Sequence, residues 1–241
     1  MYNLFELSWV TLAGAVFGFL YAFRSASPAI YDIAIIRMTA AWYESVLSDL
    51  KRNTCVLDVG VGTATALARH AKLLERKNLR VVGLDHNAAY VRAAQKRVAA
   101  SARLRDRVSV VAASVYDAAA LGALRPDGGF DAAYFSGSLS LMPDPKAALA
   151  AAAAVVRPTG RVYVTQTYQR RPGGPLRIVK PLMKYVTTID FGRLTSMAEA
   201  EALFAGSGLK VLAHKPIPGS VDNSWQVAYR TVLEVPGASG D

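Results

Sequence analysis

Cysteine and histidine are scarce in this sequence. The 241 residues include one cysteine, Cys55, and three histidines, at positions 70, 86 and 214. A single cysteine excludes a disulfide bond within one chain and a zinc site built from several cysteines. Three histidines far apart in the sequence predict no histidine-rich zinc centre. We therefore expect no bound metal ion.

Acidic residues are also few relative to basic ones. The chain has 28 lysines and arginines against 18 aspartates and glutamates, which gives a formal net charge of +10. Such a balance favours anionic partners: nucleic acid, an anionic membrane surface or acidic substrates. The 52% content of hydrophobic residues is not typical of a disordered chain. The length suits one α/β domain with a sizeable core.

Charged residues are absent from LSWVTLAGAVFGFLYAF, residues 7–23. As a helix this stretch would span about 25 Å, slightly less than a hydrocarbon core of about 30 Å. Trp9 and Tyr21 lie near its ends, where interfacial aromatic residues belong. We predict that residues 1–24 form a hydrophobic helix that anchors the protein in a membrane. The alternatives are a helix buried against the domain or in an oligomer, and a cleaved signal peptide, which the lack of a preceding lysine or arginine disfavours.

The residues after this segment predict its orientation. Arg24 and Arg37 follow it, whereas only the amino terminus precedes it. The positive-inside tendency therefore places the main domain, residues 25–241, on the cytosolic or an equivalent side. The sequence does not identify the membrane.

From residue 55 onward, buried strands alternate with helices. The strands, such as CVLDVG at 55–60 and RVVGLD at 80–85, carry apolar residues at consecutive positions, as in VVGL at 81–84, rather than at alternate ones. This pattern predicts a doubly wound, mostly parallel sheet covered on both faces, with seven strands in all. The last two strands, LKVLAHKPI and WQVAYRTVLEV, are joined by a loop rich in Gly, Pro and Ser. We expect these two to pair antiparallel at a sheet edge.

A glycine turn follows the first strand. Gly60 and Gly62 allow a sharp turn into a helix, an arrangement that places backbone N–H groups beside a bound ligand. A P-loop is excluded, because no Gly-Lys-Ser/Thr follows. Asp58 lies where a dinucleotide fingerprint has a glycine, and it would repel a pyrophosphate but attract a cationic ligand. Asp85 ends the second strand, where a carboxylate can accept both hydroxyls of a ribose.

Five stretches together resemble the class I S-adenosylmethionine-dependent methyltransferases. They are LDVGVGTA at 57–64, VVGLDHN at 81–87, VVAASVYD at 110–117, FDAAYFSGSLSLMPDP at 130–145 and VVRPTGRVYVTQT at 155–167. The resemblance covers about residues 28–235 and implies a Rossmann-like fold. S-adenosylmethionine carries an ammonium, a sulfonium and a ribose but no phosphate, which agrees with two acidic positions around the turn.

The resemblance implies a role for each matching position. Asp58, Gly60 and Gly62 would line the methionine end of the cofactor, and Asp85 would bind the ribose. The positions that would lie near the adenine are His86, Asn87, Ser114 and Val115. The positions that would close over the cofactor are Tyr31, from AIYDIAI ahead of the first strand, with Phe135 and Ser136 at the end of the fourth. Tyr31 packed on the sheet edge is an equal alternative.

The sequence departs from the family pattern in three places. Ala64 replaces a third glycine, and Ser114 replaces the usual acidic residue, so the adenine contact is weakened or moved to the backbone. The fourth strand ends in YFSGSLS rather than Asn/Asp-Pro-Pro-aromatic. This last departure argues against methylation of exocyclic amines on nucleic-acid bases, and we do not expect nucleic acid as a partner.

A cap near residues 168–195 is the expected substrate side, by resemblance. Arg177, Lys180 and Lys184 share one helical face. That face is either solvated or in contact with an anionic membrane surface. The side chains that could face the acceptor are Gln166, Tyr168, Asp190 and His214, but the pattern does not identify a catalytic base, and His214 in a predicted strand is more typical of a structural residue.

These features predict a membrane-anchored methyltransferase that acts on a lipid or another apolar small molecule. An RNA or protein methyltransferase is one alternative. A non-catalytic methyltransferase-like subunit of a membrane assembly is another, although the set of Asp58, Gly60, Gly62 and Asp85 argues against it. An oligomer formed through the N-terminal helix is compatible with each of these.

Overall fold

A computed structural model describes residues 39–170 and 196–237. The N-terminal segment 1–24, Tyr31 and residues 171–195 of the predicted cap lie outside the described residues, as do Arg177, Lys180, Lys184 and Asp190. Within the two described ranges, no helix is long and apolar enough to cross a membrane.

Seven strands form one sheet. Its strands are β1 (Cys55–Val59), β2 (Arg80–Asp85), β3 (Val108–Ala112), β4 (Phe130–Ser136), β5 (Val156–Gln169), β6 (Lys210–Pro216) and β7 (Gln226–Glu234). The spatial order is β3-β2-β1-β4-β5-β7-β6. The first five strands pair in parallel, and β7 pairs antiparallel with both β5 and β6. The predicted mostly parallel sheet with an antiparallel edge is confirmed.

Helices cover both faces of this sheet. They are α1 (39–49), α2 (Thr65–Arg69), α3 (Ala71–Lys77), α4 (Ala88–Ala99), α5 (Ala118–Leu124), α6 (Pro145–Val155) and α7 (Met197–Ala205). By local propensity residues 64–77 would suit one continuous helix, but the structure divides it at His70. The backbone of His70 leaves the helical region (ψ 17°), and its ring nitrogen Nε2 lies 2.9 Å from the carbonyl oxygen of Ala40. The contact with α1 therefore coincides with the break between α2 and α3.

Polar side chains begin four of the helices. Asn87 caps α4 by accepting hydrogen bonds from the backbone N–H groups of Ala89 and Tyr90. Asp117 caps α5, Asp144 caps α6, and Ser196 forms a reciprocal capping box with Glu199 on α7. These caps satisfy amide groups that have no partner within the helix. The first three also end the loops that leave the carboxyl ends of β2, β3 and β4.

Helix α1 runs antiparallel to the parallel strands. Near its amino-terminal end, Trp42 packs against the residue after β4, Gly137; near its carboxyl-terminal end, Asp49 accepts a hydrogen bond from Tyr163 of β5. The ammonium of Lys77 donates to the carbonyl groups of Leu47, Ser48 and Leu50 just there. A cation at this helix end also offsets the helix dipole. The chain before residue 39 therefore joins α1 at the carboxyl end of the sheet.

Candidate functional site

The glycine turn lies at the carboxyl end of β1. The backbone N–H groups of Gly60 and Val61 both donate to the carbonyl oxygen of Leu84, at 2.8 and 3.1 Å. Gly60 and Gly62 have φ angles of +78° and +57°, a backbone region that residues other than glycine rarely adopt. The turn is thus tied to the neighbouring strand β2.

The two glycines serve different neighbours. A Cβ atom on Gly60 would lie 2.5 Å from Cβ of Ser138, whose hydroxyl donates to the carbonyl oxygen of Val59. A Cβ atom on Gly62 would meet nothing within 4 Å. Gly60 is therefore required by packing inside the protein, whereas Gly62 borders open space that a ligand can approach.

Asp58 lies beneath this turn with only 1% of its surface exposed. Its Oδ2 accepts a hydrogen bond of 2.7 Å from the hydroxyl of Tyr43 on α1. Its Oδ1 is buried and has no hydrogen-bond partner among the described residues. Burial raises the pKa of Asp58 to about 7; Asp85 acts in the same direction and the hydrogen bond from Tyr43 opposes it. A charged donor on a ligand would stabilise this carboxylate.

Asp85 faces the turn from the end of β2. Its Oδ2 accepts from the backbone N–H of Gly62 at 3.0 Å, and its Oδ1 accepts from that of Asn87 at 2.8 Å. A carboxylate has further lone pairs, so these bonds hold the side chain in place and leave acceptor capacity for hydroxyl groups. The structure therefore brings Asp58, Gly60, Gly62 and Asp85 together at the carboxyl end of the sheet.

The residues predicted near the adenine differ in exposure and in whether their side chains are already hydrogen-bonded. His86 is exposed, with Nδ1 3.7 Å from Asp85 Oδ1. The side-chain oxygen of Asn87 is engaged in capping α4. Ser114 is half-buried and accepts from the backbone N–H of Tyr116, and Val115 is buried in the core. All four follow β2 or β3 and lie at the same end of the sheet as the turn.

Phe135 and Ser136 end β4 with side chains on opposite faces. Phe135 is completely buried in a core cluster with residues of α6. The hydroxyl oxygen of Ser136 is buried and, among the described residues, has no hydrogen-bond partner within normal distance.

The sequence did not indicate two residues of this site, Tyr43 and Ser138. Tyr43 donates a hydrogen bond to Asp58, and Ser138 packs against Gly60. Tyr43 carried only the signal of an apolar helix face.

A pocket of about 250 Å³ lies beyond the carboxyl ends of β4 and β5, beside α7. Its walls include six mainly apolar side chains, Leu139, Met142, Pro143, Tyr168, Leu203 and Phe204. Tyr168 is buried, and burial raises the pKa of its phenol above the usual value. That phenol therefore stays protonated near neutral pH. The pocket is lined mainly by apolar side chains, and its wall residue Met142 has Cε 4.0 Å from the position of a Cβ atom on Gly60.

His214 is held by structural contacts behind this pocket. Its Nδ1 lies 2.8 Å from the hydroxyl of Thr231, and its Nε2 lies 3.0 Å from the sulfur of Met197. The ring packs against Tyr229 with centroids 4.5 Å apart, and burial lowers the pKa of His214. Because both ring nitrogens have neighbours within the protein, His214 is not arranged as a base for a bound acceptor.

Comparisons with known proteins agree with this geometry. Residues 56–160 match a family model described as a methyltransferase domain. No curated protein matches the sequence. Among solved structures, the [4+2]-cyclase SpnF is similar at 17% identity and a TM-score of 0.63, over 82% of this chain and 81% of that one.

Two other similar structures are methyltransferases by name. An S-adenosylmethionine-dependent methyltransferase from Aquifex aeolicus shares 18% identity over 83% of this chain and 92% of its own, with a TM-score of 0.60. Geranyl diphosphate C-methyltransferase from Streptomyces coelicolor A3(2) shares 14% identity over 81% of this chain and 78% of its own, also at 0.60. That structure contains S-adenosyl-L-homocysteine. At these identities the likeness shows the fold.

Proposed function

We propose that this chain, a class I S-adenosylmethionine-dependent methyltransferase, methylates a lipid or another apolar small molecule at a membrane surface. S-adenosylmethionine is its cofactor, and it supplies a methyl group on a sulfonium. The observation that supports the apolar acceptor is the pocket beside the glycine turn. Exposed apolar side chains around the pocket and the uncharged run 7–23 support the membrane surface.

The pocket's chemistry suits positioning rather than proton transfer. Leu139, Met142 and Phe204 present apolar surface. Glu199 also borders the pocket, but its carboxylate accepts from the backbone and the hydroxyl of Ser196 in the capping box of α7. Methyl transfer to a nucleophile held in line proceeds largely through orientation. An apolar wall that orients the acceptor and excludes water suits an amine or a thiol, which needs little help from a general base.

Exposed apolar side chains surround the same end of the sheet. Tyr90 follows β2, Tyr116 follows β3, Leu141 follows β4 and Trp225 precedes β7; each is at least 40% exposed. Tyrosine and tryptophan are favoured at membrane–water interfaces. This apolar rim supports a membrane surface as the place where the acceptor is met.

The chain order supports the same orientation. The residues before 39 join α1 at this end, and they include the uncharged run 7–23. We propose that residues 1–24 anchor the protein and that Arg177, Lys180 and Lys184 contact anionic headgroups. Two modest attachments together give stable membrane binding. In this arrangement the catalytic domain lies on the cytosolic or an equivalent side.

The acceptor class is tested with the full-length protein and methyl-labelled S-adenosylmethionine. We expect label to enter the organic phase when the protein is supplied with lipid vesicles prepared from a cell extract. The Asp85→Asn variant is the control for transfer that does not use the site. Label found only in RNA or protein would contradict the apolar acceptor. Cofactor binding without any label in any fraction would favour a non-methylating role, such as a scaffold or another reaction on this fold.

Membrane attachment is tested by fractionation. The full chain should sediment with membranes and leave them only with detergent, and a chain that starts at Ser25 should not. Full-length protein in the supernatant without detergent would contradict the anchor.

A further inference from the structure

The geometry points to Tyr43 as a positioning residue that keeps the Asp58 carboxylate charged and oriented beneath the amino-acid end of the cofactor. The inference rests on the cofactor assignment above and adds a residue from outside the family motifs. Tyr43 lies on α1, fifteen positions before Asp58. Its phenol is the partner of one carboxylate oxygen, at 2.7 Å, in a fully buried setting.

The hydrogen bond has a clear electrostatic function. Asp58 is buried, and among the described residues the groups that shift its pKa are Tyr43 and Asp85, neither of which is a cation. Its own charge raises the pKa of the neighbouring Tyr134, which stays neutral. A hydrogen bond donated to a buried carboxylate favours its ionised form. Without the Tyr43 hydroxyl, Asp58 Oδ2 would lose the side-chain hydrogen bond that it accepts. The carboxylate would then take up a proton at higher pH.

Packing fixes the direction of the phenol. Tyr43 meets the ring of Tyr134 edge-on, with centroids 5.0 Å apart, and lies parallel to the ring of His70 at 6.5 Å. Burial lowers the pKa of His70, so this neighbour is neutral near pH 7. The phenol of Tyr134 pairs with Thr165 rather than with Asp58. Tyr43 is therefore held with its hydroxyl on Asp58, and Tyr134 is a matched buried tyrosine whose hydroxyl does not hydrogen-bond the carboxylate.

The charge on Asp58 should affect the binding of the amino-acid end of the cofactor. A negative charge beneath the glycine turn attracts the ammonium of S-adenosylmethionine, and a weakly screened interior strengthens that attraction. The adenine and ribose carry no positive charge and depend on Asp85 and the turn. Loss of the Tyr43 hydroxyl should weaken only ligands that carry the amino-acid group.

Two ligands separate the effects in calorimetric titrations of the full-length protein. S-adenosylhomocysteine carries the ammonium, and 5′-methylthioadenosine lacks the amino-acid group. In Tyr43→Phe we expect about tenfold weaker binding of S-adenosylhomocysteine at pH 7, the size of one lost hydrogen bond to a charged group. Binding of 5′-methylthioadenosine should be unchanged. In Tyr134→Phe both affinities should match the wild type.

The pH profile gives a second readout. Between pH 5.5 and 7.5, wild-type affinity for S-adenosylhomocysteine should rise as Asp58 ionises, and affinity for 5′-methylthioadenosine should stay flat. In Tyr43→Phe the rising limb should move to higher pH, because the bond that favours the charged form is gone. In Asp58→Asn the limb should disappear, and adding Tyr43→Phe to Asp58→Asn should change nothing further.

Each outcome decides a separate point. If the wild type binds neither ligand, the cofactor assignment and this inference both fail. If it binds both, but Tyr43→Phe weakens them equally or not at all, Tyr43 is only a packing residue. If Tyr43→Phe does not fold, the double variant decides: folding of Tyr43→Phe/Asp58→Asn supports the inference, because the unpaired charge is then removed. Failure of both variants to fold overturns it.

Discussion

Acidic side chains at the two ends of the parallel strands differ in how completely they are paired within the protein. At the amino end, Asp131 of β4 accepts from the backbone N–H of Cys55 at 2.6 Å and pairs with Arg157 at 2.8 Å. At the carboxyl end, Asp58 and Asp85 lie close together, and one oxygen of Asp58 has no partner among the described residues. Acids at the amino end stabilise the fold, whereas those at the carboxyl end retain capacity for a ligand.

A second amino-end acid shows the same contrast. Asp49 accepts a hydrogen bond of 2.8 Å from Tyr163 and lies 3.5 Å from Arg161 and 3.7 Å from Arg230. Three partners from β5 and β7 thus join α1 to the sheet. Asp58 has one phenol donor, and the charge nearest to it is another acid. Burying a charge without enough donors lowers stability, and this is typical of functional sites.

Glycine substitutions should give the largest difference between the ends. Gly60 and Gly128 share a φ of +78°, but a Cβ on Gly60 would clash with Ser138 and one on Gly128 would meet nothing within 4 Å. We expect Gly60→Ala to lower the free energy of unfolding by about 3–4 kcal/mol, from strain plus overpacking. Gly128→Ala should lower it by about 1–2 kcal/mol, from strain alone. Equal losses in urea unfolding would show that Ser138 moves aside without penalty.

Charge removal should change stability with opposite sign at the two ends. At pH 8, Asp58→Asn should raise the free energy of unfolding by at least about 1 kcal/mol, since a buried charge is removed. Asp131→Asn should lower it by about 1–2 kcal/mol, because a charged pair and an acceptor are disturbed. Urea unfolding of both variants measures the two changes.

The pH dependence follows from the raised pKa of Asp58, which is about 7 rather than its usual value of 3.8. Between these values the folded protein holds a proton that the unfolded chain releases. The contribution of Asp58 to stability therefore falls as pH rises from about 4 to 7, and it is constant above. The advantage of Asp58→Asn over the wild type should grow across that window. An advantage that is the same at pH 4 and pH 8 would contradict the buried charge.

Helix caps should give the smallest effect. Asn87→Ala and Asp117→Ala each remove one cap at the carboxyl end, and each should lower the free energy of unfolding by about 1 kcal/mol. Only position 87 is predicted to lie near the adenine. A greater loss of S-adenosylhomocysteine affinity in Asn87→Ala than in Asp117→Ala would add a ligand contact to its capping role. Equal affinities would leave Asn87 as a cap alone.

The parallel sheet was predictable because its signal is local. Continuous apolar runs, such as 81–84, and the helices between them predict the type and the alternation of the strands from local sequence alone. The break at His70 was not predictable, since it coincides with a contact to the carbonyl of Ala40, thirty positions earlier. Local propensity over 64–77 favours a continuous helix, and a tertiary contact decides against it.

The acidic and glycine positions of the site were predictable for a similar reason. Asp58, Gly60 and Gly62 lie within five consecutive residues, and Asp85 ends the next strand, so their proximity follows from parallel pairing. The role of Tyr43 was not predictable from the sequence, because Tyr43 meets Asp58 only through the packing of α1 on the sheet. A tyrosine on an apolar helix face looks the same in sequence whether its hydroxyl meets solvent or a carboxylate.

Calorimetric titration of S-adenosylhomocysteine into the full-length wild type and Asp85→Asn tests the central claim, that the carboxyl end of the sheet is the cofactor site. The claim predicts one ligand per chain for the wild type. It predicts at least about tenfold weaker binding in Asp85→Asn, because a ribose hydroxyl loses a charged acceptor. Asp131→Asn, at the other end of the sheet, should bind as the wild type does. Equal affinity in a folded Asp85→Asn, or a larger loss in Asp131→Asn, would contradict the account.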